Sequence, residues 1–253
     1  MSNQHYVFLS PHFDDVALSC GGLVWDLVQN GCQVEIWTLM GGLPPDENFS
    51  EFAQQNHQRW GLSGKEAIRM RRAEAQAACQ VLGALPRHFN WPDAIYRRDP
   101  GSGEPLVINN ETLFGTPPEA WLVEEITDTL LEKLPEEVIL ISPAGIGHHI
   151  DHLTVAQAAY GSERKLFFYA DYPYILKHPD WTAHQKGKFI KRPHGLNEDA
   201  LDHWQDAVLA YSSQISDFWQ SEEALRLAYQ HYMSGGGGRL WEQIILPWMK
   251  PNS

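Results

Sequence analysis

Short apolar runs alternate with longer amphipathic stretches through most of the chain. Tyr6-Val7-Phe8-Leu9 is strand-sized, polar residues 10–15 follow, and a helical pattern over 16–28 ends at Gly31. Residues 34–39 form a second apolar strand, closed by Gly41-Gly42. A polar and aromatic stretch over 47–64 predicts a rim or lid with a short helix near 49–60. Residues 65–82 predict a helix with Gly83 as its C-cap, and 87–90 a short strand. The segment 99–118 reads as a Pro/Gly-rich loop. A helix over 119–134, a buried strand at 138–141, a histidine-bearing turn, a helix over 151–160 and a buried strand at 166–169 come next. Beyond these, 189–192 reads as an edge strand and 197–211 and 222–232 as helices, with a flexible glycine run at 235–238. Parallel strands need crossover connections, usually helical, so this alternation predicts an α/β, Rossmann-like three-layer fold around a mostly parallel sheet.

With 253 residues, 43% of them hydrophobic, the chain has enough apolar material for one large domain. One catalytic domain over 1–253 is expected, with an irregular aromatic-rich extension from about 233. A net charge of −13 argues against broad contact with nucleic acid. No segment approaches the roughly 20 apolar residues of a membrane span, and residues 1–6 do not read as a secretion signal. Three cysteines without metal-ligand spacing suit buried free thiols, so a reducing cytoplasm is the expected location. The aromatic tail is compatible with a homo-oligomer.

Two polar clusters change the picture. His12-Phe13-Asp14-Asp15 directly follows the first strand, where open α/β folds place ligands. Gly147-His148-His149-Ile150-Asp151-His152 follows a later buried strand in the same way. Equivalent strand ends bring the two together. Imidazole and carboxylate are ordinary zinc ligands, and the spacing of His12 and Asp15 lets both converge across one turn. Three protein ligands would leave positions for water and a substrate oxygen. Asp14 is then the spare carboxylate that takes a proton, and His149 the spare imidazole that stabilises an oxyanion or protonates a leaving amine. Asp151 is read as an acceptor for an imidazole or as a helix cap.

These residues resemble the LmbE-like or PIG-L-type N-acetylglucosamine de-N-acetylases. Pro11-His12-Phe13-Asp14-Asp15 with Gly21-Gly22 matches the early signature, and His149-Ile150-Asp151-His152 the late one. Arg71-Arg72-Ala73-Glu74, Leu82-Gly83, Trp91-Pro92-Asp93-Ala94 and the segment 210–214 echo further parts of it. The resemblance implies zinc, or another divalent metal, on His12, Asp15 and His152, with Asp14 as general base and His149 assisting the leaving group. It makes Arg72 and Asp93 candidates for binding substrate, with Arg69 as an alternative to Arg72, and a small amino-sugar conjugate the expected partner. Phe13 and Ile150 stand where the family commonly has proline, and His148 adds an imidazole that competes with His149 for its role.

Trp91 and Tyr96 are candidates for stacking on a sugar. The glycine run has no Lys-Ser/Thr partner for a nucleotide; it is expected near the mouth of the site, with Arg239 meeting an anionic substrate group. The leading expectation is hydrolysis of an N-acyl, most often N-acetyl, group from an N-acetylglucosaminyl-type conjugate. The alternatives are a zinc hydrolase of another small amide and a non-catalytic sugar-binding protein.

Overall fold

Helical crossovers carry the chain back over the sheet after each early apolar run, so five strands lie parallel. The computed structural model describes residues 4–184, 188–192 and 194–244. The parallel strands are β1 (His5–Ser10), β2 (Gln33–Thr38), β3 (Leu85–His88), β4 (Val138–Pro143) and β5 (Lys165–Tyr169). With β6 (Lys188–Lys191) and β7 (Leu240–Ile244) they form a seven-stranded sheet in the order β3-β2-β1-β4-β5-β7-β6. β7 runs antiparallel to both its neighbours. No described helix is long and apolar enough to cross a membrane.

The helices are α1 (Asp15–Gln29), α2 (Glu51–Trp60), α3 (Gly64–Leu82), α4 (Asn110–Gly115), α5 (Ala120–Lys133), α6 (Ile150–Gly161), α7 (Glu198–Leu209), α8 (Ser212–Phe218) and α9 (Glu222–Ser234). Alternation along β1 divides the core into two faces. Phe8 joins Ile36 and Ile141 in the cluster that meets α1, α3 and α7. Val7 and Leu9 pack with Leu122 and Ile126 of α5 and Val155 of α6 on the other face. The sheet is thus sandwiched between two helical layers.

The ends of α3 follow from its sequence. Ser63 and Glu66 form a reciprocal capping box, and Gly83 closes the helix at φ +72°. α1 has a less regular course. Cys20 departs from helical geometry at φ −155°, and the carbonyls of Ala17 and Leu18 accept hydrogen bonds from Trp204 Nε1 (2.6 Å) and the Tyr229 hydroxyl (3.0 Å). The Trp204 ring lies so close that a Cβ on Gly21 would come within 2.7 Å of its Cδ1, and one on Gly22 within 2.9 Å of its Cε3. The glycine pair therefore lets α7 dock on the kinked part of α1.

Three segments differ from the sequence expectation. The loop over 99–118 contains α4, a six-residue helix started by the Asn109 side chain, which accepts from Thr112 N at 2.8 Å. The residues after α7 turn into α8. The irregular extension expected from about 233 instead contributes the end of α9 and then β7, which inserts between β5 and β6. Its strand character comes from those two partners; residues 245–253 lie outside the described residues.

Candidate metal centre and cleft

All the site elements meet at the carboxyl ends of the parallel strands. β1 pairs with β2 on one side and β4 on the other, so the chain winds away from it in both directions and leaves a crevice there. His12 and Asp15 follow β1, and His149 and His152 follow β4. The turn after β1 is tied internally: Ser10 Oγ donates to His12 O at 2.6 Å, and His12 N donates to Asp15 Oδ2 at 2.6 Å. The Tyr211 hydroxyl donates to Phe13 O at 2.7 Å and fixes the turn from the α7–α8 side.

Within this crevice one donor atom each from His12, Asp15 and His152 lies within 4.8 Å of the others, and all three residues are buried. His12 Nδ1 is 3.2 Å from Asp15 Oδ2, and His152 Nε2 is 3.3 Å from Asp15 Oδ1. Asp171, two residues past β5, takes the other nitrogen of His152 at 2.6 Å and also accepts from Ile146 N. That leaves His152 Nε2 turned to the cluster, the arrangement of a ligating imidazole backed by a carboxylate. Two imidazoles and one carboxylate suit a divalent cation. A second trio, His12, His149 and Asp151, satisfies the same distance test. It is the weaker candidate, because Asp151 already accepts from Arg97 NH1 at 2.6 Å and Ala94 N at 3.0 Å. Its charge is met by a guanidinium that Glu119 grips at 2.8 and 3.0 Å.

The electrostatics follow this crowding. Burial opposes charge on His12, yet the Asp93 and Asp15 carboxylates and the hydrogen bonds to Asp15 and Asp151 hold its pKa well above the usual value. For His152, burial is likewise outweighed by Asp15 and Asp171, which push it up to about 10. Burial would raise Asp15, but His152 and His12 hold it well below the carboxylate range. Burial raises Asp14, with Asp15 adding to the rise and Arg71 opposing it. His149 is held well below the usual histidine value by burial and then by His12 and His152. Its Nδ1 accepts from Asp151 N at 3.2 Å, so the neutral ring carries its proton on Nε2.

A cleft of about 480 Å³ opens above the cluster, with His12, Asp14, Asp15, Asp93 and His149 on its walls. Asp93 Oδ2 is 3.6 Å from His12 Nε2. Arg71 also lines the cleft and donates to Asp14 Oδ1 at 3.1 Å. One turn further along α3, Glu74 accepts from Ser212 Oγ, Ser213 N and Ser213 Oγ, which fastens α8 and brings Gln214 to the cleft.

Several expected residues take other positions. Arg72 points to the Gly41 carbonyl at 2.8 Å and does not line the cleft; adjacent helical positions are rotated by about 100°, so Arg71 faces inward instead. Arg69 does not line the cleft either. Arg239 and the glycine run line a separate cavity beyond Tyr172. His148 is exposed at φ +65°, while His149 is buried in the cleft. Trp91 stacks on Phe89 and donates to Glu125, and Tyr96 meets His57 at 2.9 Å. The rings in the cleft are Phe52 and Trp60 of α2, Phe114 of α4, Tyr172, Tyr174 and Phe218. Sequence reading named 47–64 as a rim but missed these rings, along with Arg97 and Asp171; of Arg69, Arg71 and Arg72, at least one of which it expected to point toward the site, Arg71 is the one that does. Asp171 follows a buried strand, as His12 and His149 do, and that position was the available signal.

Residues 7–161 match the family described as PIG-L, GlcNAc-PI de-N-acetylase. The chain is 28% identical to 2'-N-acetylparomamine deacetylase of Niallia circulans, with 88% of this chain and 85% of that protein covered. It is 27% identical to 1D-myo-inositol 2-acetamido-2-deoxy-alpha-D-glucopyranoside deacetylase of Corynebacterium glutamicum (strain R), over 68% of this chain and 58% of that relative's length. Among solved structures, a zinc-inhibited form of teicoplanin deacetylase Orf2 superposes with a TM-score of 0.78 at 25% identity, covering 94% of this chain and 97% of that one.

Proposed function

The chain belongs to the PIG-L family of deacetylases, and from that premise we propose that it removes the N-acetyl group of an N-acetylglucosaminyl-type conjugate with the help of zinc. The carrying observation is the buried carboxylate of Asp14 on the wall of the cleft that also holds His12, Asp15 and His149. A protein that only bound sugars would need no such group. The relatives' substrates, 2'-N-acetylparomamine and an inositol 2-acetamido-2-deoxyglucopyranoside, support an amino sugar.

His12, Asp15 and His152 would hold the metal. A divalent ion supplies Lewis acidity toward a carbonyl oxygen and lowers the pKa of water at the site. Asp14, oriented by Arg71, accepts a proton from the water that adds to the amide carbon. His149 donates from Nε2 to the oxygen as charge develops there. The C–N bond then breaks, the nitrogen takes up the transferred proton, and acetate and a free amine leave. Arg71 and Asp93 lie where sugar hydroxyls can meet them, and the rings of α2 and α4 cover the apolar faces of the substrate. Arg72 and Arg239 have no part in this cleft.

N-acetylglucosaminyl glycosides with different aglycones, assayed for free amine, test the reading. Release is expected to stop with a chelator and return with zinc, cobalt or manganese added singly at low concentration. Asp14→Asn should lower turnover by about 10²- to 10⁴-fold with metal content unchanged. Full turnover in that variant would remove Asp14 from the mechanism. Release from simple amides but from no amino sugar would overturn the substrate class.

A further inference from the structure

A second cavity, of about 570 Å³, adjoins the first at Tyr172, which lines both. Its apolar wall includes Ile175, Leu176 and Trp241. Its polar end is made by Lys191 of β6, Arg239 and the glycine run. The two cationic heads converge on one point: a Cβ on Gly236 would lie 3.3 Å from Lys191 Nζ and 3.4 Å from an Arg239 guanidinium nitrogen. Lys191 Nζ donates to Gly236 O at 3.2 Å and sits 5.0 Å from the centre of the Trp241 ring. Burial and the neighbouring Arg239 lower the Lys191 pKa.

Among the described residues neither cation is paired with a carboxylate, although the chain carries a net charge of −13. The adjacent Arg192, by contrast, is paired with Glu242. The glycines divide in the same way. Gly237 and Gly238 lie against the rings of Tyr232 and Trp204, so packing explains them. Gly236, whose φ of +83° itself favours glycine, faces the two cations. Two converging like charges are relieved by an anion between them. A bare oxyanion would occupy little of a cavity whose size is that of small-molecule sites.

We propose that this cavity is a second ligand site, for an organic oxyanion: a carboxylate or phosphate carried on an apolar or ring-shaped body. The oxyanion bridges Lys191 and Arg239, and the body lies against Trp241 and Ile175.

Titration calorimetry on the full chain at low salt tests this with 1-naphthyl phosphate, 1-naphthoate, inorganic phosphate and uncharged 1-naphthol. At least one naphthyl anion is expected to bind, inorganic phosphate about tenfold or more weaker, and naphthol not measurably. The stronger of the two anions identifies the head group. Lys191→Gln and Arg239→Gln should each weaken binding by about tenfold, while Lys191→Arg and Arg239→Lys retain most of it. Without ligand, the glutamine variants should melt no lower than the parent, because each removes a like charge from the pair. Absence of binding by both naphthyl anions overturns the proposal, as does undiminished binding in the double glutamine variant. Inorganic phosphate binding as tightly as naphthyl phosphate would overturn the organic body. Binding abolished by Phe114→Ala, with Arg239→Gln silent, would move the ligand to the catalytic cleft.

Discussion

Asp171 sets the direction of His152. By holding Nδ1 at 2.6 Å it leaves the ring's other nitrogen facing Asp15, and Ile146 N in turn steadies the carboxylate. Replacing Asp171 by Asn keeps the shape but removes the charge that supports the imidazole. Divalent-metal affinity should fall by about 10- to 100-fold, as read by competition with a chelating dye, with the far-ultraviolet circular dichroism unchanged. The residues nearest the cluster were legible in the sequence because two motifs, each straight after an apolar strand, supply adjoining donors. Arg71 was not separable from Arg72, since a single step along α3 decides which side chain meets Asp14 and which meets Gly41. Arg97 was hidden for another reason. Its value lies in neutralising Asp151, a partner distant in sequence, and nothing local marks that pairing.

At the scale of elements, the joint between α1 and α7 carries the clearest constraint. Gly21 and Gly22 sit against the Trp204 indole, whose Nε1 also satisfies the Ala17 carbonyl. A methyl group at Gly21 overlaps a fully buried ring, so Gly21→Ala is expected to destabilise the protein by about 1–3 kcal/mol, measured as a lower urea midpoint at unchanged slope. An unshifted midpoint would mean that α7 can move away freely. Long helices with strong periodicity, such as α3 and α5, could be read within a residue or two. α4 and α8 are too short to show a period and depend on the Asn109 cap and on Glu74. β7 has no isolated strand signal and exists because β5 and β6 offer edges on both sides.

For the molecule as a whole, His88 ties stability to pH. It lies at the end of β3 beside Phe13, with neither ring nitrogen hydrogen-bonded to a described residue, and burial followed by Arg72 lowers its pKa to about 4. The unfolded chain takes up that proton near the ordinary histidine value of about 6.5. Its contribution is therefore complete above about pH 6.5 and is lost as pH falls toward 4. Urea midpoints at pH 7.5, 6 and 5 should decline more steeply for the parent than for His88→Phe. Parallel declines would show that His88 does not report on folding. The overall architecture was the most legible level of all, because alternation of strand and helix leaves few ways to cover both faces of a sheet.

The position of β1 also sets a timetable. It lies between β2 and β4, and Phe8 is in register with Ile36 on one side and Ile141 on the other. At a synthesis rate of roughly 5–20 residues per second, the first neighbour emerges within seconds and the second only after roughly 7–27 s. Until then one edge of β1 stays open on the ribosome. His12 and Asp15 precede β2, but His152 arrives only with α6, after β4, so the third donor of the cluster waits for the second neighbour of β1. At that point β5, β6 and β7 are still unmade, so the three donors can meet on a half-built sheet, before Asp171 arrives to fix the ring of His152.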